Sequence, residues 1–148
     1  MIPADINLEP LVRELKINTS EGGNKIWDPI RKKWIMLYPE ELVRQLVICY
    51  LTKYKSYSAG RIAVEKSFLI NGLLKRYDIA VMDNLLKPYL LIECKAFNIN
   101  IRQDVFDQIA RYQSTLDSTY LMVTNGAQTF CFYADHEKKQ YLFLSDIP

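Results

Sequence analysis

Histidine is almost missing from this 148-residue chain, which has a single one, and glycine is scarce, with five. The lone His136 lies in Ala134-Asp135-His136-Glu137-Lys138-Lys139, a polar turn between two short apolar runs. A Ser-His-Asp or Cys-His mechanism needs its histidine inside the site, so that chemistry is not expected. No Gly-x-x-x-x-Gly-Lys-Ser/Thr loop occurs, so an ATP-driven motor is not expected on this chain. No run is long and apolar enough to span a bilayer, and Met1-Ile2-Pro3-Ala4-Asp5 lacks the basic-then-apolar start of a signal peptide. Cys49, Cys94 and Cys131 are widely spaced and odd in number, with no metal-type pair. Cys49 and Cys131 read as small buried hydrophobes, a reducing cytoplasm is the natural setting, and no membrane partner is expected. Repeats, low-complexity tracts and Pro/Gly/Ser linkers are also lacking, which leaves no place for a second domain boundary.

What is present suits one α/β domain. Apolar residues make up 49% and charged residues 24%, a balance that favours a packed core over disorder. Residues 1–38 read as an N-terminal extension. It holds an apolar segment, Leu8–Ile17, a loop at Ser20–Asn24, and a β-hairpin over Ile26–Leu37 turning at Pro29–Lys33. The core, residues 39–148, opens with a helix from about Glu40 to Tyr54, with Pro39 and two acids at its positive end. Arg61–Leu69 is expected to begin the sheet, and Asn71-Gly72 to turn into an Arg76–Met82 strand. Asp83–Pro88 leads to a Leu90–Lys95 strand. A crossover helix, Arg102–Leu116, precedes the strands Thr119–Thr124, Thr129–Tyr133 and Gln140–Leu144. The result is a central mixed sheet flanked by helices.

Charge interrupts two otherwise apolar strands. Asp78 lies in the run Tyr77–Met82, and Glu93 and Lys95 end the run that begins at Tyr89. Charge in a covered strand is costly unless it is paired, hydrogen-bonded or bound to a metal. Residues two apart share a strand face, so Glu93 and Lys95 point together and Cys94 points away. If the Asp78 strand lies alongside, two carboxylates form a hard-oxygen site for Mg²⁺ or Mn²⁺ beside an ammonium. Such a set suits phosphodiester hydrolysis; a structural ion pair is the plainer reading of the same residues.

Asp78 followed by Glu93-Cys94-Lys95 resembles the PD-(D/E)xK nuclease superfamily, with Tyr77 where a proline often stands. Downstream, Gln108 and Tyr112 sit four apart on one helix face. Glu-x-Lys, a short loop and a Gln-x-x-x-Tyr helix together resemble the N-terminal nuclease domain of type I restriction enzyme R subunits. Pro39-Glu40-Glu41-Leu42-Val43-Arg44-Gln45 and Val123-Thr124-Asn125-Gly126 extend the likeness over roughly Glu40 to Tyr133. It implies a restriction-endonuclease-like fold. It also implies metal ligation by Asp78, Glu93 and the Cys94 carbonyl, and a Lys95 that orients water or stabilises the transition state. Gln108 and Tyr112 would position metal or backbone, and a further acid would come from the first helix, Glu41 being preferred over Glu40.

The net charge of +2 says little about partners. Lys75 and Arg76, just before Asp78, are candidates for a DNA backbone contact, while Lys25, Arg31, Lys32 and Lys33 read as a solvated hairpin tip. The expected activity is Mg²⁺- or Mn²⁺-dependent DNA cleavage; the rival is a catalytically inactive nucleic-acid-binding or complex-assembly module of the same fold. Expected partners are DNA and a second copy, a helicase or translocase, or a restriction-modification subunit.

Overall fold

The computed structural model describes residues 2–148. Its centre is a six-stranded mixed sheet, built from β4 (Ile62–Val64), β7 (Ile79–Met82), β8 (Pro88–Cys94), β9 (Tyr120–Thr124), β10 (Thr129–Asp135) and β11 (Gln140–Leu144). The spatial order is β11-β10-β9-β8-β7-β4. Only β8 and β9 run parallel; the other neighbours are antiparallel. The parallel step needs a crossover, and helix α2 (Gln103–Leu116) supplies it. Asp117 ends that helix in a left-handed conformation, its N–H donating to the Gln113 carbonyl.

The central strands separate two cores. Ile79, Val81, Leu90, Ile92, Cys94, Met122 and Cys131 face helix α1 (Pro39–Cys49), where Val43, Leu46 and Val47 cover them. Ala80, Leu91, Leu121, Val123, Phe130 and Phe132 face Val105, Phe106, Ile109 and Tyr112 of α2. Burial on both faces explains why β7 and β8 read as unbroken apolar runs. All three cysteines are buried and unpaired. Past Cys49 the first helix widens into a π turn over Tyr50–Tyr54, where the Lys55 N–H donates to the carbonyl of Tyr50.

Two regions differ from the sequence reading. The N-terminal extension is a three-stranded antiparallel sheet: β1 (Ile17–Ser20), β2 (Gly23–Asp28) and β3 (Lys33–Met36). The expected loop Ser20–Asn24 is therefore the tip of an additional hairpin, turning at Glu21-Gly22. The segment expected to begin the central sheet is divided. Only β4 joins it, while β5 (Ser67–Ile70) and β6 (Leu73–Arg76) form a separate two-stranded hairpin. Glu65, at φ 51°, turns the chain out of the sheet, and its N–H donates to the Asp78 carbonyl where the hairpin returns. The Arg76–Met82 run is consequently two pieces, with Asp78 at the bend before β7.

Candidate active site

Asp78 is aimed by its neighbours on both sides. β7 pairs with β8 so that Ile79 faces Ile92, which brings Asp78 to the end of β8 that carries Glu93. Its Oδ2 accepts a 2.7 Å hydrogen bond from the Cys94 N–H, and its Oδ1 accepts one of 3.0 Å from Arg44 of α1. Glu93 is buried on the α2 side of the strand, and Lys95 Nζ stands 3.4 Å from its Oε1. Burial, and then the repulsion of Asp78, push the Glu93 carboxyl up to about 8, although Lys95 opposes the shift. Burial works against the Lys95 charge, but Glu93 outweighs it and holds the ammonium above its usual range. The Cys94 thiol is wholly buried in the other core, and burial raises it well above the ordinary thiol. Only the backbone of Cys94 therefore reaches the acids.

The two acids at the start of α1 have different surroundings. Glu41 is buried; its Oε1 accepts from Arg31 and from Arg44, each at 2.8 Å, and its Oε2 accepts from Gln45 at 3.3 Å. Glu40 is half exposed, loosely paired with Arg44 at 3.5 Å, and lines a cleft of about 560 Å³ with Lys95, Asn98, Asn100 and Arg102. Burial and the nearby Asp78 raise its carboxyl, with Arg44 and Lys95 opposing. The preferred Glu41 thus sits in an arginine network, and Glu40 is the acid that opens toward Lys95.

Gln108 and Tyr112 meet as the spacing requires, with Gln108 Nε2 donating to the tyrosine hydroxyl at 3.2 Å. The Tyr112 ring packs edge-on against Phe68 of β5, centroids 5.0 Å apart. Among the described residues, neither bonds Asp78, Glu93 or Lys95 directly. Lys75 and Arg76 are exposed on β6, and Arg76 lies 3.8 Å from Glu65.

Four residues joining this centre escaped the sequence reading. Arg31 is not a solvated tip residue: it bonds Asp28 (2.5 Å), Glu41 (2.8 Å) and Glu65 (2.9 Å). Burial disfavours the Asp28 charge, yet hydrogen bonds from Arg31 and Ile30 outweigh it and lower its carboxyl. Glu65 also lies 3.3 Å from Arg44. The Asp28-Pro29-Ile30-Arg31 spacing signals the local pair, since Asp28 Oδ1 caps the N–H groups of Ile30 and Arg31; nothing local signals the reach to Glu41 and Glu65.

The Asn125-Gly126 turn has a second task. Asn125 Nδ2 donates to the Ile99 carbonyl at 2.9 Å, tying down the loop that follows Lys95. Gly126 has φ 91°, and a Cβ there would lie 2.6 Å from the Phe97 ring, so glycine is required both for the backbone and for the space.

Residues 39–148 match the family model described as the type I restriction enzyme R protein N terminus. The chain belongs to that family. The fold is similar to the fragment structure described as an HsdR subunit of a type I restriction enzyme from Vibrio vulnificus YJ016. The TM-score is 0.56 at 19% identity, covering 77% of this chain and 24% of that one. The present chain thus spans about a quarter of the solved relative's length. No curated protein matches.

Proposed function

We propose that this family member is a Mg²⁺- or Mn²⁺-dependent deoxyribonuclease of the PD-(D/E)xK type, with Asp78, Glu93 and Lys95 at its centre. One observation carries the reading: two carboxylates meet at a strand end beside a lysine, where burial, and then the charge of Asp78, raise Glu93 to about 8. Around them six carboxylates (Asp28, Glu40, Glu41, Glu65, Asp78 and Glu93) face four cations (Arg31, Arg44, Arg76 and Lys95). Once Glu93 is ionised, a divalent cation would offset the excess of two negative charges.

The donor set fits such an ion. Asp78 and Glu93 supply hard oxygens, and the Cys94 backbone carbonyl is the expected third protein ligand. No group of three His, Cys, Asp or Glu side chains is arranged as a metal cage among the described residues. Two carboxylates with water and phosphate filling the remaining positions suit Mg²⁺, which keeps much of its hydration. When bound, the ion supplies charge neutralisation at the scissile phosphate and a lowered pKa for its water. Lys95 donates to the attacking water or to a phosphate oxygen, held in place by Glu93 and by its own N–H on the Thr124 carbonyl. Glu40, rather than Glu41, is the further acid open to the cleft. Gln108 and Tyr112 act as a bonded pair behind the site, and Lys75 and Arg76 meet the flanking DNA backbone. A partner restriction or translocase subunit, or a second copy, would deliver the DNA.

The test is cleavage of circular and single-stranded DNA with Mg²⁺ or Mn²⁺, wild type against Lys95→Ala. Cutting that requires both the metal and Lys95 supports the nuclease. A folded protein that binds metal yet cuts nothing without added subunits points to a missing partner, and one that neither binds nor cuts is the inactive module.

A further inference from the structure

Resting on that reading, the geometry points to Arg31, which lies outside the residues matched to the family, as a positioning residue of the metal-binding centre. It would act through two carboxylates and a second arginine. Arg44 is the direct support of Asp78, at 3.0 Å. Its Nε is buried with no partner, so the seat of its guanidinium is set by its terminal nitrogens alone. Those face Glu40, Glu41, Glu65 and Asp78. Glu41 and Glu65 are the same two carboxylates that Arg31 grips at 2.8 and 2.9 Å. Arg31 in turn is anchored by Asp28, whose side chain is wholly buried at the end of β2. The three-stranded N-terminal sheet is therefore wired to Asp78 by the path Asp28, Arg31, Glu41 with Glu65, and Arg44.

The consequence for the reaction has a distinctive sign. Without Arg31, Glu41 loses one of its two arginines and Glu65 one of its three, and both draw Arg44 away from Asp78. The carboxylate then loses its fixed orientation, and small displacements of a reacting constellation cost rate steeply. The centre meanwhile loses a positive charge, which strengthens its pull on a divalent cation. Turnover and metal affinity should move in opposite directions. A purely structural arginine would lower both together by lowering the folded fraction.

The experiment compares full-length wild type, Arg31→Ala and Arg31→Lys in two assays. One is Mn²⁺ binding by electron paramagnetic resonance; the other is kcat and KM on a labelled DNA duplex with Mn²⁺. In Arg31→Ala, kcat should fall on the order of tenfold with KM unchanged, and Mn²⁺ should bind roughly three- to tenfold more tightly. Arg31→Lys restores the charge but not the fork, so Mn²⁺ affinity should return to the wild-type value while kcat stays reduced. Folded Arg31→Ala with wild-type kcat, or with kcat and Mn²⁺ affinity falling together, overturns the inference. If Arg31→Ala does not fold, Arg31→Lys decides: wild-type kcat overturns it. Wild type that binds Mn²⁺ without cutting, even with restriction or translocase subunits added, sinks the catalytic reading, and the Mn²⁺ comparison then decides Arg31 alone. Wild type that does neither sinks both.

Discussion

Helix α2 borders two clefts of opposite character. On one side Asp104 and Val105 join Glu40, Lys95, Asn98 and Arg102 around an open polar space of about 560 Å³. On the other, Phe106 and Ala110 join Leu121, Phe132, Tyr141 and Phe143 around an apolar groove of about 350 Å³. Apolar concavity is the usual mark of a small-molecule site. A phosphodiester needs the reverse: fixed charge, access for a stiff anionic polymer, and room for hydrated metal. Glu40, Lys95, Arg102 and Asp104 line the first cleft, while Asp107 alone is charged among the residues lining the second, which edge strand β11 borders with Tyr141 and Phe143. The charged side chains of the proposed site lie on the first side, and the apolar groove lies where α2 packs on the sheet.

The sharpest way to break this contrast is to remove charge from the polar side. Lys95→Ala should lower cleavage by about 10²-fold or more, while the melting temperature changes little, because the side chain is partly exposed. A plasmid-nicking assay beside a thermal melt checks both. Next comes the neighbouring pair on α1. Glu41→Gln should destabilise the fold by about 3 kcal/mol, since it removes the negative charge shared by buried Arg44 and partly buried Arg31. Glu40→Gln should leave stability within about 0.5 kcal/mol yet weaken Mn²⁺ binding, as urea titration and metal titration would reveal. Equal destabilisation by both would refute the division of roles.

A third expectation concerns pH. The Glu93 carboxyl is raised in the fold from 4.5 to about 8. The native state therefore holds this proton more firmly than the unfolded chain does. Its contribution is complete below about 4.5 and is lost as the pH climbs through about 8. Metal-free protein should lose stability across that window, and Glu93→Gln should flatten the profile. Urea midpoints taken from pH 4.5 to 9 with a chelator would check the slope. The smallest effect should come from the apolar side: Ala110→Met, partly filling the groove, should leave cleavage unchanged and shift the melting temperature only slightly. A marked loss of cutting there would mean that the groove takes part in the reaction.

How far the chain could be read differs from place to place. Asp78, Glu93 and Lys95 stood out because charge inside covered strands is anomalous, and their pairing followed from the period of two and the short β7–β8 connection. Gln108 and Tyr112 meet because helical spacing alone brings i and i+4 together. The choice between Glu40 and Glu41 was not legible: a step of one residue turns a helix side chain by about 100°, and either direction was apolar enough locally. What decided it was the arrival of Arg31 from another sheet. The departure of β5 and β6 from the sheet was also hidden, because a single residue in the left-handed region, Glu65, redirects an alternating pattern that reads as strand either way.

By itself, then, the sequence determined the element types, the two-sided burial of the central strands and the acid-acid-lysine set. These depend on the periodicity of neighbouring side chains and on the cost of burying charge, both of which are local. Tertiary structure alone decided which acid opens to the cleft, what steadies Asp78, and how the N-terminal sheet joins the centre. Ion pairs between residues 34 apart, such as Arg31 with Glu65 and Arg44 with Asp78, carry no sequence period. They form only when packing has removed the water that would otherwise solvate each partner.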